Sequence, residues 1–147
     1  MQIEVASAPD TPPKEKGDLL ERFAAEFLRI QNYEVETQVR VTAAELDLLC
    51  RHRVKGLTLY VECKAHRDPL SANELTKLLG TIGFKNYDEG WLISAGALGK
   101  DAKGFQQEWE QRPYEERRKL TIYTPDCLIK AFAAASLIQA TAIYIPA

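Results

Sequence analysis

The chain has 147 residues, enough for one domain with a complete core, and its 46% hydrophobic and 27% charged residues are ordinary for a globular protein. A formal net charge of -2 argues by itself neither for nor against nucleic acid. Three cysteines, Cys50, Cys63 and Cys127, are odd in number, widely spaced and set among apolar residues; they read as reduced core thiols in a cytoplasmic protein, no Cys/His spacing fits zinc, and no N-terminal stretch resembles a signal peptide.

Residues 1–16 hold Ala8-Pro9-Asp10-Thr11-Pro12-Pro13 and then Lys14-Glu15-Lys16, a loosely held lead-in, with Met1 to Val5 able to add a short edge strand. From Gly17 onward Leu19, Leu20, Phe23, Ala24, Phe27 and Leu28 recur at helical spacing, and Asp18 with Glu21 three residues later supplies an acidic capping box at the start. Tyr33, Val35, Thr37, Val39 and Val41 then alternate with Glu34, Glu36, Gln38 and Arg40, the period of a half-buried strand.

Glu45-Leu46-Asp47-Leu48-Leu49 and Leu57-Thr58-Leu59-Tyr60-Val61-Glu62-Cys63-Lys64 form the limbs of a hairpin around Arg53-Val54-Lys55-Gly56. A turn centred between Val54 and Lys55 sets Asp47 opposite Glu62 and Glu45 opposite Lys64, all on one face because alternate strand residues point the same way. Opposed carboxylates repel unless something lies between them, and a hard divalent cation with oxygen ligands, Mg²⁺ above all, suits that place. Lys64 would then hold a water or a phosphate oxygen. The alternative is a solvated charged face with a surface Glu45–Lys64 pair worth at most about 1 kcal/mol, and the apolar flanks Leu57, Leu59, Val61, Leu49 and Tyr60 argue against it. Arg51, Arg53, Lys55, Lys64 and Arg67 with His52 and His66 make this end basic, as phosphate binding or merely a solvated turn and loop would have it.

After the loop Ala65 to Leu70, Ser71-Ala72-Asn73-Glu74 is a capping box opening a helix through Leu75, Leu78, Leu79 and Ile82, which makes Glu74 a cap and not a ligand. Gly90 to Ala95 is a short apolar run like a buried parallel strand, Asp101 to Gln111 a helix, Leu120 to Tyr123 a last strand, and Thr124-Pro125 the start of a final helix. This alternation places helices on both faces of a mixed sheet. The tail Ala131 to Ala147 is apolar but short and Ala-rich for a membrane span, and reads as a helix leading into a further part of a longer chain.

These elements and residues together resemble the PD-(D/E)xK nuclease superfamily, and within it the Mrr-type restriction endonucleases and related Holliday-junction resolvases, from Gly17 to about Phe132. The resemblance is carried by Gly17 and Glu21, Asn32-Tyr33-Glu34-Val35, Glu45-Leu46-Asp47-Leu48-Leu49 and Val61-Glu62-Cys63-Lys64. Leu46 stands in place of the proline of the motif's name, and the Mrr type often has Gln where this chain has Glu62, a change that strengthens a metal site.

The resemblance implies a restriction-endonuclease-like α/β/α sandwich with a central mixed sheet, a lead-in over 1–16, a nuclease domain over 17–132 and an apolar tail over 133–147 linking to a further domain. It implies hydrolysis of phosphodiester bonds in DNA, with Asp47 and Glu62 holding Mg²⁺ (or Mn²⁺ as a substitute), the backbone carbonyl of Cys63 as an added ligand, and Lys64 orienting or activating the attacking water. Glu21 would act through water or a second ion. Arg51, Arg53, Lys55, His66 and Arg67 would contact nucleic acid, although for His66 a solvated loop histidine is the better reading. Besides DNA, the expected partners are a second copy of the chain and a fused C-terminal sensor or ATPase domain, with no membrane. The competing readings are a module that keeps the fold and binds nucleic acid without cutting, and an assembly domain.

Overall fold

A computed structural model describes residues 13–66, 68–127, 130–131 and 134. In chain order the elements are α1 (Pro13–Ile30), β1 (Tyr33–Thr42), β2 (Glu45–His52), β3 (Thr58–Lys64), α2 (Ala72–Phe84), β4 (Glu89–Ser94), α3 (Lys100–Glu110), the short α4 (Tyr114–Arg117) and β5 (Leu120–Tyr123). The strands form one five-stranded sheet in the order β1-β2-β3-β4-β5, antiparallel across the first three and parallel from β3 to β5. This is the expected α/β/α sandwich with a central mixed sheet, α1 on one face and α2 and α3 on the other. The expected edge strand Met1 to Val5, Arg67 and the tail 135–147 lie outside the described residues.

Alternation along the strands divides the core in two. Leu46, Leu48 and Cys50 of β2, Leu59, Val61 and Cys63 of β3, and Trp91 and Ile93 of β4 pack beneath Leu20, Ala24, Phe27 and Leu28 of α1. Phe27 anchors this layer, its ring edge-on to Tyr123 at 5.2 Å and tilted against Trp91 at 5.5 Å. On the opposite face Leu92, Leu120 and Ile122 meet Leu75, Leu78 and Ile82 of α2 and Ala102 of α3. Among the described residues no helix is long and apolar enough to cross a membrane.

The structure corrects three local expectations. The first helix begins at Pro13, a residue that suits the first helical position. Asp18 and Glu21 therefore sit inside the helix and cap nothing; both instead pair with Arg40 of β1, Asp18 at 3.0 Å, and Glu21 also accepts the Gln38 amide. Strand β1 is exposed beyond Tyr33, because it is the sheet edge and α1 reaches it with charged side chains, not with its apolar stripe. Cys50 and Cys63 are buried free thiols as expected, but Cys127 is exposed. Gly17 has a steric reason: a Cβ there would run into the carbonyl oxygen of Ala43, at the turn that feeds β2.

Candidate active site

Residues Glu45 and Lys64, and Asp47 and Glu62, are direct partners across β2 and β3, in the register that the Val54–Lys55 turn dictates. Because Leu46, Leu48, Val61 and Cys63 are committed to the α1 face, all four charged side chains point to the α2 face. They stand at the end of the sheet where β2 begins and β3 ends. The chain beyond Lys64 is fastened there by Ala65 N–H to Ala44 O at 2.7 Å and Ala95 N–H to Lys64 O at 2.9 Å.

Burial and mutual repulsion dominate the electrostatics. Burial first, and then the neighbouring Asp47 carboxylate, push the Glu62 carboxyl up to about 7. Asp47 is also raised by burial, although the Tyr60 hydroxyl, which donates to its Oδ2 at 3.0 Å, favours the charged form. Tyr60 is held in turn by stacking on Tyr87, with ring centroids 5.4 Å apart and planes 9° from parallel. Lys64 Nζ lies 3.5 Å from Glu45 Oε1 and 3.4 Å from Glu74 Oε1. Burial works against the Lys64 ammonium, but Glu45, Glu74 and Glu62 together outweigh it and raise its pKa. Glu45 accepts a second contact, from His66 Nε2 at 2.8 Å, which heads the causes that lower its pKa. A cleft of about 250 Å³ opens beside these groups, lined by Lys64, His66, Asp68, Leu70, Glu74 and Ser94.

Glu45 and Glu74 thus contact the Lys64 ammonium while Asp47 and Glu62 stand beside it, and burial, reinforced by the neighbouring negative charge, raises the Glu62 carboxyl. The directly opposed pair offers hard oxygen donors, and a bound divalent cation would relieve its repulsion. Among the described residues no three His, Cys, Asp or Glu side chains converge as a ready-made metal set. Mg²⁺ typically takes one or two carboxylates and fills its other positions with water or phosphate oxygens, and the opposed pair could supply those two. The Cys63 thiol lies in the α1 layer, so only its backbone could turn toward such an ion.

Other expected residues are not brought to this place. Glu21 is on the α1 face with Arg40 and Gln38, whose strand partners Leu46 and Leu48 are buried there, so the sheet lies between it and the Asp47–Glu62 pair. Arg51 is paired with Glu36 at 2.7 Å, and Arg53 and Lys55 lie in the turn at the far end of the hairpin. Arg53 follows the end of β2 and is about six residue steps from Asp47, about 20 Å at the usual rise of a strand. His66 is at the site but engaged with Glu45. Two residues at the site had no functional reading in the sequence. Tyr60 is signalled by its place two residues before Glu62 on the same face, and Glu74 only by its capping role.

A family model of restriction endonucleases, the Mrr catalytic domain, matches residues 14–114. No curated protein matches the chain. Among solved structures, the "DNA modification-dependent restriction endonuclease AspBHI" aligns with a TM-score of 0.48 and 13% identity over 92% of this chain and 40% of that one. The chain thus spans about two fifths of that protein's length. The family match covers most of the chain, including the hairpin and the helix that frame the paired carboxylates, and the chain belongs to the Mrr-type restriction endonuclease family.

Proposed function

We propose that this domain is a metal-dependent endonuclease that hydrolyses phosphodiester bonds in DNA. The observation that carries the reading is the register of β2 on β3, which opposes Asp47 and Glu62 on a half-buried face with Lys64 next along the strand. Such domains typically use divalent metals. Asp47 and Glu62 would hold the ion, Mg²⁺ or Mn²⁺, with the Cys63 carbonyl as a further donor; when bound, it supplies neutralisation of charge growing on the phosphate.

The chain's own residues do the rest. The Tyr60 hydroxyl orients the Asp47 carboxylate, and His66 orients Glu45. Lys64, drawn toward the cleft by its acidic partners, presents an ammonium that can donate to a phosphate oxygen or to the attacking water. That contact strengthens as charge develops, so it serves the transition state more than the bound substrate. The fused sensor or ATPase domain and self-association belong to the same proposal, as the means by which a target would be chosen.

Plasmid cleavage in Mg²⁺, Mn²⁺ and EDTA, with calorimetric titration of Mn²⁺ into the parent and Asp47→Ala, tests the reading. Cleavage should require the cation, and the Asp47→Ala variant should bind Mn²⁺ far more weakly. Binding unchanged in that variant would remove the metal-site assignment.

A further inference from the structure

Glu74 belongs to neither strand of the acidic hairpin, yet its carboxylate forms one wall of the same cleft. Its two oxygens have different partners. Oε2 accepts the backbone N–H of Ser71 at 3.1 Å, closing the start of α2. Oε1 is turned to the Lys64 ammonium at 3.4 Å, while Glu45 Oε1 approaches the same ammonium from β2 at 3.5 Å. A cap requires only the first of these contacts.

The Lys64 side chain is 13% exposed, so most of its surface is covered, and its ammonium has these two carboxylates within reach. A lysine head rides on a flexible four-carbon stem, and one partner leaves it free to swing about that partner. Partners on two different elements, the sheet and the helix, define a position. The capping bond also fixes the rotamer of Glu74, so the start of α2 determines where Oε1 points.

We propose that Glu74 is a positioning residue for the nuclease reaction, holding the Lys64 ammonium from the α2 side so that it faces a DNA phosphate entering the cleft beside Asp47 and Glu62. This rests on the nuclease reading of the site and makes α2 a working part of it. The sequence assigns Glu74 to capping alone because the reach of its second oxygen is a tertiary fact.

The two roles separate in Glu74→Gln. Gln serves in a capping box as Glu does, so the Ser71 contact survives while the anion beside Lys64 is removed. The Gln variant should melt with the parent and bind DNA as tightly or more tightly, and it should cut about tenfold more slowly in single turnover, the lower end of what removing such a supporting group costs. Added to Lys64→Ala, the same change should have no further effect on the cleavage rate. A Gln variant that cuts at the parental rate, or a full extra loss in the Lys64→Ala background, would overturn the proposal and leave Glu74 as a cap only.

The ¹⁵N relaxation of the Lys64 ammonium gives a readout independent of cleavage. Its order should fall in Glu74→Gln, and unchanged order would overturn the proposal even if the parent protein did not cut. A parent that fails to cut would instead refute the nuclease reading.

Discussion

Replacing Glu62 by Gln should stabilise the cation-free protein at alkaline pH while weakening its hold on the cation, because a neutral amide oxygen takes the place of a carboxylate. Burial and then Asp47 hold the Glu62 carboxyl up to about 7, against 4.5 as the ordinary value. Between those two values the folded state binds more protons than the unfolded state, so this group's contribution to stability is fully present below the window. It is lost as pH rises through it. At about 1.4 kcal/mol per pH unit the loss is at most about 3.5 kcal/mol, and solvent screening of a half-buried side chain reduces it to about 1–2 kcal/mol. Gln keeps the shape and has no such window. Its melting temperature in EDTA should exceed the parent's by about 2–8 °C at ~pH 8, at roughly 2–4 °C per kcal/mol, and by nothing near ~pH 4. Circular dichroism melts of both proteins across that range measure the difference directly. Saturating Mg²⁺ should narrow or reverse the difference, because the parent gains more binding free energy in the folded state than the variant does. A variant no more stable than the parent in EDTA at high pH, or a difference independent of pH, would refute the repulsion on which the metal assignment rests.

Tyr60→Phe removes the hydroxyl that holds Asp47 Oδ2 and leaves the stack on Tyr87, so Mn²⁺ affinity by calorimetry should fall about tenfold with little change in melting temperature; unchanged affinity would make the hydrogen bond incidental. Neutralising Arg53 and Lys55 together should leave the single-turnover rate at saturating DNA unchanged, since the hairpin tip is about 20 Å along the strand from Asp47. A slower rate would show that the tip reaches the reacting phosphate.

The hairpin was legible because its information is local. A polar turn containing Gly56, which takes φ +70°, and strict alternation on both limbs fix the register, and the register alone opposes Asp47 to Glu62. The helices and buried strands followed from apolar periodicity in the same way. What sequence could not show was which side of the sheet each helix takes. The family resemblance implies a site role for Glu21, and nothing in α1 itself reveals that the sheet separates it from the carboxylates. Arg53 and Lys55 are near Glu62 in sequence but at the opposite end of the hairpin in space. Alternation marked β1 correctly as a strand, yet could not say that no layer of α1 apolar side chains covers it. Glu74 had a sufficient local explanation, and its contact with Lys64 depends on how α2 docks across the end of β3.

If Asp47, Glu62 and Lys64 form a centre that cuts DNA, Lys64→Ala is the decisive variant, because the proposed role of Lys64 is chemical. Losing the ammonium should leave folding and nucleic-acid affinity near those of the parent, while single-turnover cleavage in Mg²⁺ should fall roughly a hundredfold or more, the scale of one preorganised electrostatic group. A purified Lys64→Ala protein that cuts as fast as the parent would contradict the mechanism.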